Sequence, residues 1–205
     1  MNEKLGGEQP GGREPAPGRL RIVQAFVNTN DIEGGTDEFS TPSALANWFR
    51  TSGLVRSPVR VGANDPARVV ELREALRALL LANNAGRLDR RAQQVLDQAA
   101  IGARFTVRFG SQQPHAALEP TATGVAGALG ALLAVAFDAM QDGTWYRLKA
   151  CRRDACRWAF YDHSNARAGV WCSMSICGNR TKVTRHRSIP KKTAPRTSSR
   201  RAARA

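Results

Sequence analysis

The sequence predicts a mainly α protein with one small β-hairpin, built as a helical N-terminal domain followed by a small C-terminal four-cysteine module. Three observations predict it. Apolar residues recur at helical spacing through most of the first 146 residues, bounded by N-cap and glycine stop signals. One segment, Arg104 to Phe109, switches to strict alternation, the mark of a half-buried strand. All four cysteines fall within Cys151 to Cys177, and basic charge gathers around and after them. The chain has 205 residues, enough for one ordinary core and a small stapled module.

Taken in order, Met1 to Pro17 is polar and rich in glycine and proline, so residues 1–19 are expected to be disordered. Ile22, Val23, Phe26 and Val27 form one helical face that ends at Asn28-Thr29-Asn30-Asp31. An acidic Gly-Gly loop, Ile32 to Ser40, comes next. Thr41-Pro42 is an N-cap with proline at the first helical position, and Leu45, Trp48 and Phe49 make the buried face before Gly53. Asp65-Pro66 repeats the start signal for a helix carrying Val69, Leu72, Leu76, Leu79 and Leu80, which should stop at Asn83 to Gly86. Asp89 caps a further helix with Ala92, Val95, Leu96 and Ala99 inward.

The alternating strand from Arg104 should turn at Gly110 to Pro114 and return over His115 to Leu118. Thr123 to Gln141 is the most apolar helix. Its Gly124, Gly127 and Gly130 lack the strand-to-helix setting of a dinucleotide fingerprint and fit instead a face that a neighbour approaches closely. The longest apolar run, Val125 to Phe137, is short for a bilayer, so no membrane span is expected. Trp145 to Lys149 then leads straight into the first cysteine. So short a connection predicts that the two modules pack together.

Cys151-Arg-Arg-Asp-Ala-Cys156 and Cys172-Ser-Met-Ser-Ile-Cys177 are two C-x4-C pairs separated by fifteen residues. That spacing lets each knuckle present two thiolates to a tetrahedral Zn²⁺. Four thiolates leave no position for water, so one structural zinc is expected, held by Cys151, Cys156, Cys172 and Cys177. Two disulfides would be the competing use of these cysteines. They need an oxidising compartment, and Met1 to Arg19 has no apolar signal-peptide core, so a cytoplasmic setting is expected. Trp158, Phe160, Tyr161 and Trp171 are the bulky residues available to cover the metal. His163 is not needed as a ligand.

Charge divides the chain in the same place. Residues 1–146 hold 15 basic and 15 acidic side chains, whereas residues 147–205 hold 16 basic and 2 acidic ones, so the whole formal charge of +14 belongs to the C-terminal part. This is the footprint of a polyanion partner, with nucleic acid the natural candidate. Thr181 to Arg187 reads as a short basic helix launched from the fourth ligand. Arg180, Lys182, Arg185 and Arg187 are the expected nucleic-acid contacts there, joined by Lys191 and Lys192 from a disordered basic tail.

Trp171-Cys172-Ser173-Met174 and Cys177-Gly178-Asn179-Arg180 resemble the CGNR zinc finger, named for that tetrapeptide. The likeness extends upstream through Arg147 to Cys151 and Arg157 to Asp162, and downstream to Arg187. The family often carries arginines just before the third-cysteine tryptophan, where this chain reads Ala168-Gly169-Val170. Phe26-Val27-Asn28-Thr29 is similar to the opening motif of the ABATE domain, which precedes many such fingers. The resemblance implies a bacterial, stress-induced transcription regulator that binds DNA. The expected layout is a disordered 1–19, an ABATE-like helical domain at 20–146, the finger at 147–188 and a basic tail at 189–205.

Three function classes are consistent with these features. The leading one is a DNA-binding regulator whose N-terminal domain senses or assembles, with double-stranded DNA as partner. A second is an RNA- or ribosome-associated zinc module, which the same charges would serve. The third is a small-ligand-binding protein without a DNA role, for which Asn28 and Thr29, polar groups near an apolar floor, are the candidate contacts of an effector. No enzyme is expected. Three scattered histidines (His115, His163, His186) and no spare cysteine offer no catalytic constellation. The oligomeric state and the DNA site stay open.

Overall fold

The computed structural model describes residues 9–55, 57–87, 89–110 and 116–188. Its elements are α1 (Leu20–Asn28), the two-residue strands β1 (Asn30–Asp31) and β2 (Thr36–Asp37), α2 (Pro42–Thr51), α3 (Asp65–Ala85) and α4 (Arg90–Ala103). The hairpin β3 (Phe105–Phe109) and β4 (Ala116–Pro120) and the long helix α5 (Gly124–Gln141) complete the N-terminal part. A 3₁₀ turn at Trp145–Arg147 leads into the hairpin β5 (Leu148–Ala150) and β6 (Ala159–Tyr161), a wide turn at Met174–Gly178 and α6 (Asn179–Ser188). Among the described residues the protein is thus mainly helical, with three small antiparallel two-stranded sheets.

Local chemistry explains most boundaries. Thr41 caps α2 by accepting from the Ala44 N–H at 3.2 Å, and Asp89 caps α4 by accepting from Arg91 N–H at 3.0 Å. Asp65 is the first helical residue of α3 rather than its cap, and its carboxylate accepts from Gly62 N–H at 2.8 Å. Of the three glycines of α5, Gly127 and Gly130 allow close approach, whereas a Cβ on Gly124 would meet nothing within 4 Å. A Cβ on Gly130 would stand 2.6 Å from the Ala103 Cβ and 2.8 Å from the Pro120 Cβ, and one on Gly127 would collide with the Ala122 carbonyl. The apolar length of α5 serves the core: Val125, Leu129, Leu132 and Val135 are all buried.

One continuous core joins α1, α2, α3 and α5 to the inward residues of the C-terminal hairpin, Leu148, Ala150, Ala159 and Tyr161. Its aromatic centre is Phe26, Phe39, Trp48 and Phe49, with ring centroids 5.4 to 5.7 Å apart. The border expected at residue 146 is therefore no gap in packing. Polar bonds cross it as well. Asn83 donates to the carbonyls of Trp145 and Leu148 at 3.0 and 2.9 Å, and Asn84 to those of Ala150 and Val170 at 2.7 and 2.9 Å. These asparagines, expected to stop a helix, sit in its last turn and reach across to the hairpin.

Two arginines of α3 are buried. Arg73 forks onto Asp37 at 2.7 and 2.6 Å, donates to Glu74 at 3.0 Å and lies 5.5 Å from the Phe39 ring centroid. Arg77 donates to Glu74 at 2.9 Å and to the carbonyls of Val27 and Arg157 at 2.7 and 3.0 Å. The hydrogen bond from Arg73 holds the Asp37 carboxyl below its usual range.

The disorder expected for residues 1–19 is not found over 9–19. Gln9 and Ala16 are buried, Ala16 N–H donates to Gln24 at 2.7 Å, and Arg13 Nε donates to the Cys172 carbonyl at 2.6 Å while its guanidinium lies 5.0 Å from the Phe160 centroid. A segment of low hydrophobicity is held here by charge-assisted and backbone hydrogen bonds, which composition does not register. Residues 1–8, His115 and the tail 189–205 lie outside the described residues.

The hairpin β5–β6 is braced by a buried ion pair. Lys149 Nζ donates to Asp162 Oδ2 at 2.9 Å and to the carbonyls of Arg167 and Gly169 at 2.5 and 3.2 Å. Asp162 also accepts from Ser164 Oγ at 2.6 Å and Gly169 N–H at 2.7 Å. Burial pushes the Asp162 carboxyl up, but these bonds outweigh it and hold the group below its ordinary 3.8. Asp162→Asn leaves Lys149 charged and enclosed, so it should cost about 3–5 kcal/mol at neutral pH. The folded pKa is the lower one, so this stabilisation is complete above the unfolded pKa and is lost as pH falls through the folded value. Urea unfolding should show a constant gap between parent and variant from about pH 5 to 8, narrowing only below about pH 4.

Candidate metal centre and nucleic-acid interface

The two knuckles are built by different local devices. β5 delivers Cys151, whose N–H donates to the Trp158 carbonyl at 2.9 Å and so prolongs the β5–β6 ladder into the first knuckle. The knuckle then turns on Cys156 N–H to Arg153 O at 2.9 Å and closes with Arg157 at φ 52°, a left-handed residue. In the second knuckle Ser173 caps the wide turn. Its Oγ accepts from Ile176 N–H at 3.3 Å, and its carbonyl accepts from the N–H groups of Cys177 and Gly178 at 3.0 and 3.1 Å. A Cβ on Gly178 would collide with Met174 Sδ and stand 3.2 Å from Trp171 Cδ1, so the glycine of the Cys-Gly-Asn-Arg turn lets those side chains close over the site.

All four thiols are free and buried, and their sulfurs lie within 4.8 Å of one another. Cys172 Sγ stands 3.7 Å from Cys156 Sγ and 3.6 Å from Cys177 Sγ. A tetrahedron with Zn–S bonds of about 2.3 Å has edges of about 3.8 Å, whereas a disulfide needs about 2.05 Å. The sulfur set therefore fits one zinc ion and not a pair of disulfides.

Electrostatics point the same way. Hydrogen bonds from Cys156 and Cys172, with backbone N–H groups of Cys172 and Arg153, pull the Cys151 thiol far down. Cys156 and Cys172, facing that thiolate, are pushed up. Among these three sulfurs the negative charge gathers on Cys151 at the expense of Cys156 and Cys172. A dication at their centre removes the conflict and lets all four ionise. Phe160, Trp158 and Trp171 pack on the sulfurs. Tyr161, expected beside them, instead joins the main core, because alternate residues of a strand face opposite ways.

The charged rim has a defined arrangement. Glu33, in the loop between β1 and β2, accepts from Arg153 Nη1 at 2.7 Å through Oε1, and the same oxygen accepts from Arg180 Nη1. Arg153 also lies against the Cys177 sulfur. Arg13 reaches the backbone of Trp171 and Cys172. None of Arg13, Glu33 and Arg153 carried a signal in sequence, since Arg13 meets Cys172 and Glu33 meets Arg153 across more than a hundred residues. Ala168 to Val170 has a structural use: Gly169 binds Asp162 and Lys149, and a Cβ there would stand 2.9 Å from Asp162 Oδ2.

Of the expected nucleic-acid residues, Arg180 is half exposed and paired with Glu33, and Lys182 is exposed on α6. Arg185 and Arg187 fall in the last turns of the same helix, which ends at Ser188. Lys191 and Lys192 lie outside the described residues. Asn28 and Thr29, the candidate effector contacts, are committed inside the protein. Asn28 donates to the Ala159 carbonyl at 2.9 Å and accepts from Ala159 N–H at 2.7 Å, acting as a third strand beside β6. Thr29 donates to the Phe26 carbonyl at 2.8 Å and accepts from Arg73 at 3.3 Å.

Elemental analysis of the purified protein should find about one zinc per chain, the number four thiolates can close around. Cys172→Ser should lose it and unfold the knuckles, visible as loss of protection of the 151–178 backbone in hydrogen exchange. Chelation should become easier as pH falls, because thiolates must be deprotonated to bind. Metal-free parent protein with native hydrogen exchange would contradict this.

Residues 20–142 match the family model for ABATE, described as "Putative stress-induced transcription regulator", and residues 147–188 match the CGNR zinc finger. No curated protein matches the chain. The two matched stretches succeed each other in the order of the helical part and the four-cysteine centre. The chain belongs to the ABATE family and carries a CGNR zinc finger directly after the ABATE domain.

Proposed function

We propose that this protein is a zinc-dependent regulator that binds double-stranded DNA through its finger, with the ABATE domain as the sensing or assembling part. The observation that carries the reading is the placement of charge. Residues 147–205 hold 16 basic and 2 acidic side chains, and the fourth cysteine of the metal centre leads directly into the basic helix α6. The helical run begins at Met174, beside the sulfurs, so its positive end faces the thiolates and its basic body projects from them. Four free thiols suit a reducing cytoplasm. The reading assigns no catalytic role.

On this reading Lys182, Arg185 and Arg187 hold phosphates, and Lys191 and Lys192 add positive charge. An effector, if the ABATE domain takes one, binds elsewhere than at Asn28 and Thr29, whose polar atoms are engaged within the protein. RNA would be served by the same charges, so duplex DNA and RNA of equal length should be compared in one binding assay. With four to six phosphate contacts, log K on duplex DNA should fall with log salt at a slope of about −4 to −5. Arg185→Ala should weaken binding to all sequences alike and reduce the slope by about one. Salt-independent affinity, or an Arg185→Ala protein that binds as the parent does, contradicts the phosphate-clamp mechanism.

A further inference from the structure

Glu33 is the one acidic side chain that the ABATE part sets against arginines from both zinc knuckles, among the described residues. We infer that Arg153 and Arg180 form a phosphate site at the mouth of the zinc centre, and that the Glu33 carboxylate occupies it as an internal competitor of the DNA backbone. The inference rests on the nucleic-acid reading above and names a contact and a control that the reading leaves out.

Three observations support it. First, one carboxylate oxygen accepts from two guanidinium groups, one from each knuckle. Guanidinium groups make charge-assisted hydrogen bonds to carboxylate and phosphate oxygens alike, so a place where two of them hold one anion suits the other. Second, the loop is shaped to present the group. Asp31 Oδ1 accepts from Gly34 N–H at 2.9 Å, Gly35 turns the chain at φ +68°, and a Cβ on Gly34 would stand 2.6 Å from Asp31 Oδ2. Third, Arg180 and Glu33 open to solvent on a cleft of about 580 Å³ lined also by Asp31, Trp158 and Gly11. Arg180 keeps 53% of its side chain exposed, so a phosphate can approach without unfolding anything.

A purely structural clasp is the competing use of this contact. It is poorly motivated, because the two modules already share a core and are joined by Asn28, Arg77, Asn83 and Asn84. Ion pairs as exposed as Arg180 with Glu33 add little to stability. Exchange of the carboxylate for a phosphodiester is neutral in charge, one negative group for another. Beside the negative thiolate centre that neutrality matters, since an anion added without displacement would meet net repulsion. The tethered Glu33 competes at a high effective concentration, so the parent protein binds DNA below the capacity of its arginines.

The test measures binding of a mixed-sequence duplex DNA to the zinc-loaded full chain by fluorescence anisotropy across a salt series. Zinc content and melting temperature are checked for every variant. At about 0.1 M salt, one freed phosphate contact corresponds to about tenfold in affinity, so Glu33→Gln should bind about tenfold more tightly with a slope steeper by about one. Adding Arg153→Ala and Arg180→Ala to Glu33→Gln should abolish the gain. If the parent binds DNA and Glu33→Gln binds equally or less tightly, the inference is overturned while the proposed function stands. A gain that survives removal of both arginines is a general charge effect and also overturns it. If neither parent nor variant binds duplex DNA at low salt, the proposed function and the inference fall together.

Discussion

Strand β6 is three residues long and belongs to two cores at once. Ala159 and Tyr161 face the helical core, while Phe160 faces the cysteines. The alternation of a strand makes this division unavoidable, and the rest of the structure depends on it. A hairpin shared in this way cannot be withdrawn from the helices without opening the floor of the metal centre. It cannot lose the metal without loosening a wall of the helical core. Asn28 enforces the arrangement by bonding both the N–H and the carbonyl of Ala159, so the strand has a partner on its second edge as well.

The same coupling explains where the polar groups go. Arg77 and Asn84 lie in the C-terminal half of α3, and their donors are spent on carbonyls of the first knuckle and its neighbours. Arg152 returns a bond to the Asn84 carbonyl at 2.6 Å. Carbonyls within a knuckle, or at the end of β5 beside it, are not satisfied by the β5–β6 ladder, so donors arriving from another element take its place. The strap at residues 9–17 serves the other side through Arg13 and Gln9. The zinc centre is thus framed on two flanks, and basic side chains that look equivalent in composition are divided between framing and solvent.

That division bears on how a basic protein of this kind is read. Arg73, Arg77, Arg152 and Arg153 all have intramolecular acceptors, and Lys149 is fully enclosed. The basic side chains left for an outside partner are therefore fewer than the 31 Lys and Arg residues of the chain, and the excess of positive charge lies in residues 147–205. A charge count sets the sign and rough place of a binding surface. The partners of each guanidinium decide its capacity.

Residue spacing alone determined a good deal. Period and end signals located the helices because capping and burial of an apolar face are local, as Thr41 and Asp89 show. Two C-x4-C pairs located the metal ligands because tetrahedral coordination restricts spacing, and the Cys-Gly-Asn-Arg turn located the start of α6. Only the tertiary structure decided that Asn28 bonds the hairpin, that residues 9–19 strap the finger and that Glu33 meets Arg180. Each of those contacts joins residues more than a hundred positions apart. A hydrogen-bonding side chain has the same local signature whether its partner is water, a ligand or a distant carbonyl. Its role is set by what the fold brings to it.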